Sequence, residues 1–293
     1  MQTIRFGHSP DPDDAFMFYA IAKKKIDLRD FKIVHMVEDI ESLNQRALRG
    51  ELEATAVSVH AYAYLADHYA IMRSGASIGE KYGPIVVARP DFEKRGQPPF
   101  SGTVSSSCVA PFSPLRGKKI AIPGTLTTAT LVLRLFEKEF SYVIVPFDKI
   151  LDYVKSGRAD AGLVIHEGQI TYESKGLRKV IDLGEWWWEK TKLPLPLGVD
   201  VVRKDLGPEI MRAFAQVFKE SILYSLSHRG EALSYALPFG RGISREDGDQ
   251  FVGMYVNDYT CDLGEKGENG IRELLIRGYA QKLIPKKISP EFV

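Results

Sequence analysis

Gly162-Leu163-Val164-Ile165-His166-Glu167-Gly168 decides how this chain is read. An apolar, β-branched run stops at an imidazole, a carboxylate and a glycine, the pattern of a buried strand that ends in a turn. In an open α/β sheet the carboxyl ends of such strands face the ligand crevice. An imidazole held there is suited to proton transfer near neutral pH, which makes His166 the candidate catalytic base. The alternative for a lone histidine at a strand end is structural: it closes the strand or packs in a core.

Outward from this point, strand and helix signals alternate. Towards the N-terminus, Ile4–Gly7 reads as a strand, 8–12 as a turn and 13–24 as a helix. Phe31–Val37 is a strand, Asp39–Gly50 a helix ending in glycine, Ala54–Ser58 a strand, Ala61–Ala66 a helical turn and Tyr82–Arg89 another strand. From Pro90 to Pro114 the chain is rich in Pro, Ser and Gly without periodicity, which marks a boundary loop. A second run follows, with strands at Lys119–Ile122, Tyr142–Pro146, Ala161–Ile165 and Lys179–Asp182, and helices at Thr127–Phe140 and Asp148–Lys155. Gly198–Arg203 is a strand that returns to the first run, and helices at Met211–Ser227, Asp247–Asp258 and Gly267–Lys282 complete the chain. The expected fold class is therefore α/β, with two units and a cleft between them. Residues 1–88 and 200–293 form the first unit, with the C-terminal helices, and 89–199 form an inserted second unit. Crossings near Arg89 and Gly198 would make the hinge, and the cleft is where a site belongs.

Composition narrows the function. With 39 basic and 38 acidic residues, the chain presents no broad basic face, so nucleic acid is not an expected partner. The N-terminus enters a strand directly, without the apolar region of a secretory signal, and no stretch is long enough to cross a bilayer. A cytoplasmic protein without a membrane partner is the expectation. The two cysteines, Cys108 and Cys261, lie far apart and form no Cys-x-x-Cys pair, which excludes a zinc ribbon or a disulfide scaffold.

Other segments carry candidate chemistry. Gly124-Thr125-Leu126-Thr127-Thr128-Ala129 joins a strand to a helix, and its free N–H groups and hydroxyls suit a carboxylate. Thr127, Thr128 and Ala129 are thus candidate binding residues; ordinary capping by Thr125 or Thr127 is the alternative. The segment is not a Walker loop, because the Gly-Lys-Ser/Thr ending is missing. In Ser9-Pro10-Asp11-Pro12-Asp13-Asp14, Asp11 suits the N-cap and Pro12 the first helical position, while Asp13 and Asp14 complement the positive helix end. Capping accounts for these acids. Their crowding also suggests a metal site, but Pro12 and the helix geometry argue against it, so neither metal nor cofactor is expected. Ser58, after a strand, is placed to face the cleft, whereas His60 reads as packing or capping. Of the run Trp186-Trp187-Trp188, at least one ring must be exposed or must cover a ligand.

Taken in order, several segments are similar to those of the 1,4-dihydroxy-6-naphthoate synthases of the futalosine route to menaquinone. They are 9–19 (Ser-Pro-Asp-Pro-Asp-Asp-Ala-Phe-Met-Phe-Tyr), 83–88 (Gly-Pro-Ile-Val-Val-Ala), 126–129 (Leu-Thr-Thr-Ala), 165–167 (Ile-His-Glu), 193–198 (Leu-Pro-Leu-Pro-Leu-Gly) and 255–258 (Tyr-Val-Asn-Asp). The resemblance spans nearly the whole chain. It implies the two-domain fold of type II periplasmic binding proteins and a lyase that cleaves a carbon–carbon bond. Cyclic dehypoxanthine futalosine would be converted to 1,4-dihydroxy-6-naphthoate with loss of a three-carbon fragment. His166 would start the elimination, and Ser58, Thr128 and Ala129, with Ser9 and Thr127, would contact a small carboxylate substrate. The chain departs from the family pattern at Asp11 and Asp13, where Pro-Cys-Pro-Asn-Asp is common, at His8, where an apolar residue is common, and in a longer loop at Glu93–Leu115. Two other readings share the fold. A non-catalytic solute-binding protein is disfavoured by the missing export signal. Chorismate dehydratase, a sister enzyme of the same route, is disfavoured by Ile165-His166-Glu167.

Overall fold

Short apolar runs, several buried on both faces, alternate with helices to build two sheets. The structure is a computed structural model and describes residues 1–92 and 113–293. Most of the expected long loop at Glu93–Leu115, and Cys108 with it, lies outside the described residues.

The strands are β1 (Gln2–His8), β2 (Phe31–Val37), β3 (Ala54–Ser58), β4 (Tyr69–Ile71), β5 (Ser77–Gly79), β6 (Ile85–Ala88), β7 (Lys119–Ile122), β8 (Ser141–Ile144), β9 (Ala161–Val164), β10 (Arg178–Asp182) and β11 (Leu195–Arg203). The first sheet has the order β2-β1-β3-β11-β4, with β5 paired to β11; the second has the order β10-β6-β9-β7-β8. In each sheet the central strands run parallel and a returning strand runs antiparallel. β1 is parallel to β2 (Ile4 opposite Ile33) and to β3, whereas β11 is antiparallel to β3 (Val199 opposite Val57). In the second sheet β7 is parallel to β8 and β9, whereas β6 is antiparallel to β9 (Val86 opposite Leu163). The parallel strands therefore point their carboxyl ends, with Ser9, Thr127 and His166 just beyond, at the gap between the sheets.

Hydrogen bonding moves both expected crossings. Ile85–Ala88, assigned from sequence to the first unit, pairs with β9 and β10 in the second sheet. Leu195–Val199, assigned to the second, already pairs with β5 and β3 in the first. The chain thus leaves the first sheet after Gly79 and re-enters it at Leu195. The composition break at Pro90 marks a loop within the second unit and not the crossing. An apolar β-branched run fits the middle of either sheet, so its residues alone could not show the difference.

The helix Pro12–Ala22 is buried along almost its full length, as its apolar sequence Ala-Phe-Met-Phe-Tyr-Ala-Ile demands. It packs Phe16 and Phe18 into an aromatic core with Phe6, Phe214 and Phe218, in which Phe6 and Phe18 are 4.5 Å apart. Another core runs from Val57, Tyr62 and Val201 of the first unit to Leu133, Leu163 and Trp187 of the second, with Ile271 and Leu274 of the helix Gly264–Ala280. This apolar bridge ties the two sheets together. The tryptophan run falls on a helix, Leu183–Thr191, that periodicity does not reveal. Trp187 is fully buried and donates its Nε1–H to Pro194 O at 3.1 Å, Trp186 packs on Phe136, and Lys81 covers Trp188.

Candidate active site

Between the sheets lies a cavity that opens to solvent, with about 680 Å³ of empty space counting its open mouth. All of the candidates Ser9, Ser58, Thr127, Thr128, Ala129 and His166 line it, with Asp13, Asp14 and Asp200 on one side and Phe251 and Tyr255 on another. The tryptophans do not.

His166 sits in a turn built for it. Its φ is +55°, in the left-handed region. At Gly168 a Cβ would come within 2.6 Å of Val164 Cγ1, so only glycine lets the chain double back this closely on β9. The ring lies edge-on to Phe147, 4.7 Å between centroids. Nδ1 is 3.0 Å from Oδ2 of Asp11, and Nε2 is buried without a hydrogen-bond partner.

Asp11 occupies the N-cap position of the helix that starts at Pro12, as its sequence context suggests, but its side chain makes no capping bond. Instead the fully buried carboxylate sets Oδ2 against His166 Nδ1 and accepts Arg241 Nη2 on Oδ1 at 2.6 Å and the Ser9 hydroxyl on Oδ2 at 2.5 Å. Arg241 in turn grips both oxygens of Glu167, at 2.7 and 2.8 Å, and donates to Pro10 O at 2.8 Å. Burial works against the guanidinium charge, but the bonds to Glu167 and Asp11 outweigh it and raise the pKa of Arg241. Arg241 thereby holds the segment before the first helix and the residue after His166 together across the cleft. Sequence reasoning missed it because nothing near residue 241 announces a site.

The neighbouring acids are unlike surface carboxylates. Burial, with the charge of Asp11 added, pushes Asp14 up to about 6, although the Ser9 N–H donates to it and the Ser9 hydroxyl proton is shared between Asp14 and Asp11. Burial, with the charges of Asp14 and Asp11 on Asp13 and of Asp14 and Asp13 on Asp200, drives both well above the usual carboxylate range. Asp13 Oδ1 and Asp200 Oδ1 are buried and unpartnered. This wall therefore carries less negative charge than its acids suggest. Among the described residues, no group of His, Cys, Asp or Glu is arranged to hold a metal ion.

The donor side divides the hydroxyls by use. Thr127 caps the helix Thr128–Phe136, accepting from Thr130 N–H while its own proton goes to Gly124 O at 3.1 Å. Thr128 Oγ1 donates to Leu197 O at 2.6 Å and accepts His60 N–H at 3.2 Å, which joins the second unit to the first. His60 is a packing residue: it is buried, its Nδ1 is 3.3 Å from Thr127 O, and burial lowers its pKa to about 4. The N–H groups of Thr128 and Ala129, in the first turn of the helix Thr128–Phe136 at the cavity, have no acceptor within the helix. Ser58 adds a further donor. Its backbone N–H and hydroxyl oxygen are both held by the buried Asn44 amide, at 2.9 and 3.2 Å, which leaves the hydroxyl proton free for the cavity. Asn44 also escaped the sequence reading.

Two α/β sheets facing each other across a lined cleft, with the chain crossing twice between them, define the periplasmic-binding-protein fold. The ligand-binding component of an ABC-type import system from Staphylococcus aureus, solved with zinc bound, superposes with a TM-score of 0.70 over 99% of this chain and 97% of its own, at 15% identity. A protein from Archaeoglobus fulgidus, AF1704, matches with a TM-score of 0.85 and 44% identity over 96% of this chain and 98% of its own. The menaquinone biosynthesis family matches residues 4–280, and the chain belongs to that family. It is similar along the full length of both chains, at 38% identity, to the 1,4-dihydroxy-6-naphthoate synthase of Thermus thermophilus. The resemblance read from the ordered segments is thus borne out at the level of family and fold. Among the described residues, no helix is long and apolar enough to cross a membrane.

Proposed function

We propose that this protein is a carbon–carbon lyase that converts cyclic dehypoxanthine futalosine to 1,4-dihydroxy-6-naphthoate, with His166 as the base. The observation that carries the mechanism is the Nε2 atom of His166, buried at the cavity wall, unpartnered, and backed through Nδ1 by a carboxylate. A neutral ring in that state presents a lone pair to whatever fills the cavity. It takes a proton from the substrate, and the electron pair released breaks the carbon–carbon bond to the three-carbon fragment. The resulting imidazolium then returns the proton to the departing carbon. Formation of the aromatic ring supplies the driving force, so the protein needs only to place and exchange the proton.

The substrate carboxylate sits on the N–H groups of Thr128 and Ala129, with the Ser58 hydroxyl beside it. The upward shift of Asp13 and Asp200 by burial favours this arrangement, because it weakens the negative charge these acids set against a bound anion. The two sheets act as lobes that close on the ligand, and closure keeps water from the reacting bond. The reading is tested by incubating purified protein with the cyclic futalosine derivative and weighing the products. Appearance of the naphthoate supports it. Binding without turnover points to a solute-binding protein, and turnover of chorismate alone to the sister dehydratase.

A further inference from the structure

The pairing of His166 with Asp11 deepens the assignment of His166 as a base and rests on it. We propose that Asp11 is the positioning residue of His166: it accepts the Nδ1 proton across the cleft and so leaves the Nε2 lone pair aimed into the cavity. A neutral imidazole carries one ring proton, and the partner of one nitrogen decides which nitrogen bears it. At His166 the partner of Nδ1 is an acceptor at 3.0 Å. The proton therefore belongs on Nδ1, and Nε2 is bare.

Asp11 has no other task in the cavity. It does not line it, and both of its oxygens are committed, Oδ1 to Arg241 and Oδ2 to His166 and Ser9. It makes no capping bond to its own helix. The two partners come from different sheets, Asp11 following β1 and His166 following β9, and Arg241 clasps Asp11 together with Glu167. The base is thus oriented by the opposite lobe.

The charged and titratable groups around the ring are Asp11 and Asp14 from the N-terminal segment, Glu167 beside it and Arg241 from the C-terminal region. Among them Arg241 fixes which way a substitute for Asp11 must turn. In Asp11→Asn the amide oxygen stays on Arg241, which can only donate, so the amide NH2 faces Nδ1. Nδ1 must then accept, the ring proton moves to Nε2, and the lone pair in the cavity is lost with almost no change of shape.

The test labels histidine with ¹⁵N and records the imidazole nitrogens at pH 8, above the ordinary imidazole range. The signal of His166 among the six histidines is assigned by its loss in His166→Asn. Wild-type protein is expected to show a protonated Nδ1 and a bare Nε2, and Asp11→Asn the reverse. The same variant should lose at least about 100-fold in kcat, the usual contribution of a positioned base, with its affinity for the product naphthoate changed less than about threefold. A wild-type ring protonated on Nε2 overturns the proposal, as does an Asp11→Asn protein that keeps its tautomer or its kcat. Should Asp11→Asn not fold, the wild-type spectrum alone decides. If wild-type protein does not turn over the cyclic substrate, the assigned reaction fails, while the nitrogen spectra still judge the role of Asp11.

Discussion

Replacing His166 with asparagine separates catalysis from folding at this position. Asparagine is among the residues that adopt the left-handed region with least penalty, so it can hold the φ of +55° that His166 occupies. Its amide can still donate to Asp11, which keeps the buried carboxylate paired. The lost contact is the edge-on stacking with Phe147, worth about 0.5–1.5 kcal/mol for such aromatic pairs. The melting temperature should therefore fall by only a few degrees. Turnover should fall far more. Asparagine places no basic nitrogen where Nε2 stood, and loss of a general base costs about 10²–10⁴ in rate, or about 3–5 kcal/mol of barrier. By contrast, His166→Val should lose stability as well, since a β-branched residue is strained at positive φ. The assay is naphthoate formation by mass detection, with the melting curve of each variant as the folding control. A folded His166→Asn protein that turns over within about threefold of wild type would refute the assignment of His166.

Thr128→Val removes a hydroxyl that links Leu197 O to His60 N–H, so the melt should fall by an amount corresponding to about 1–3 kcal/mol while naphthoate affinity changes less than about threefold. A ten- to hundredfold loss of affinity with an unchanged melt would instead put that hydroxyl on the ligand. Burial and the nearby His8 lower the pKa of His35 to about 4, below its unfolded value near 6.5, so the unfolded chain binds the extra proton in between. The stability that His35 contributes is full above pH 6.5 and lost as pH falls through 4; over that window wild type should lose on the order of 2 kcal/mol relative to His35→Gln, and parallel pH–stability curves would contradict this. Small-angle scattering should show compaction when naphthoate binds, with rotation about the segments Glu80–Pro84 and Lys192–Pro194; unchanged scattering would mean that the lobes, joined by the shared apolar core, are already closed.

What could be read from the sequence was local. β2, β3 and β7 stand where the sequence reading placed them, and the helix Pro12–Ala22 starts at the proline that marks its first turn. β4 and β5 span three residues each, too few for any period to register. At the site, His166 and the Thr127–Ala129 turn were legible because a strand end and a helix start announce themselves within a few residues. Arg241 bonds to Asp11 from 230 positions away, and Asn44 supports Ser58 from the helix before its strand. No short window along the chain contains such pairs. The nearest signal was the crowding of Asp11, Asp13 and Asp14. Capping explained the crowding well enough to hide that Asp11 turns away from its helix.

That crowding acquires its meaning from where the molecule tolerates local conflict. Lys24, Lys192 and Lys282 take left-handed conformations just past helices, where the chain must leave the helical path. His166 adopts the same region beyond a strand, where no helix has to be left, and it meets the left-handed Arg241 through Asp11 and Glu167. Buried acids with unpartnered oxygens, Asp13 and Asp200, lie along the same cavity. Conflicts of this kind cost about 1–3 kcal/mol each and persist only where the surrounding structure fixes them. Left-handed residues away from helix ends also occur at Arg29 and Lys81, and buried unpartnered atoms at Ser225 and Gln281; the candidate cleft differs in bringing both kinds of conflict together around His166.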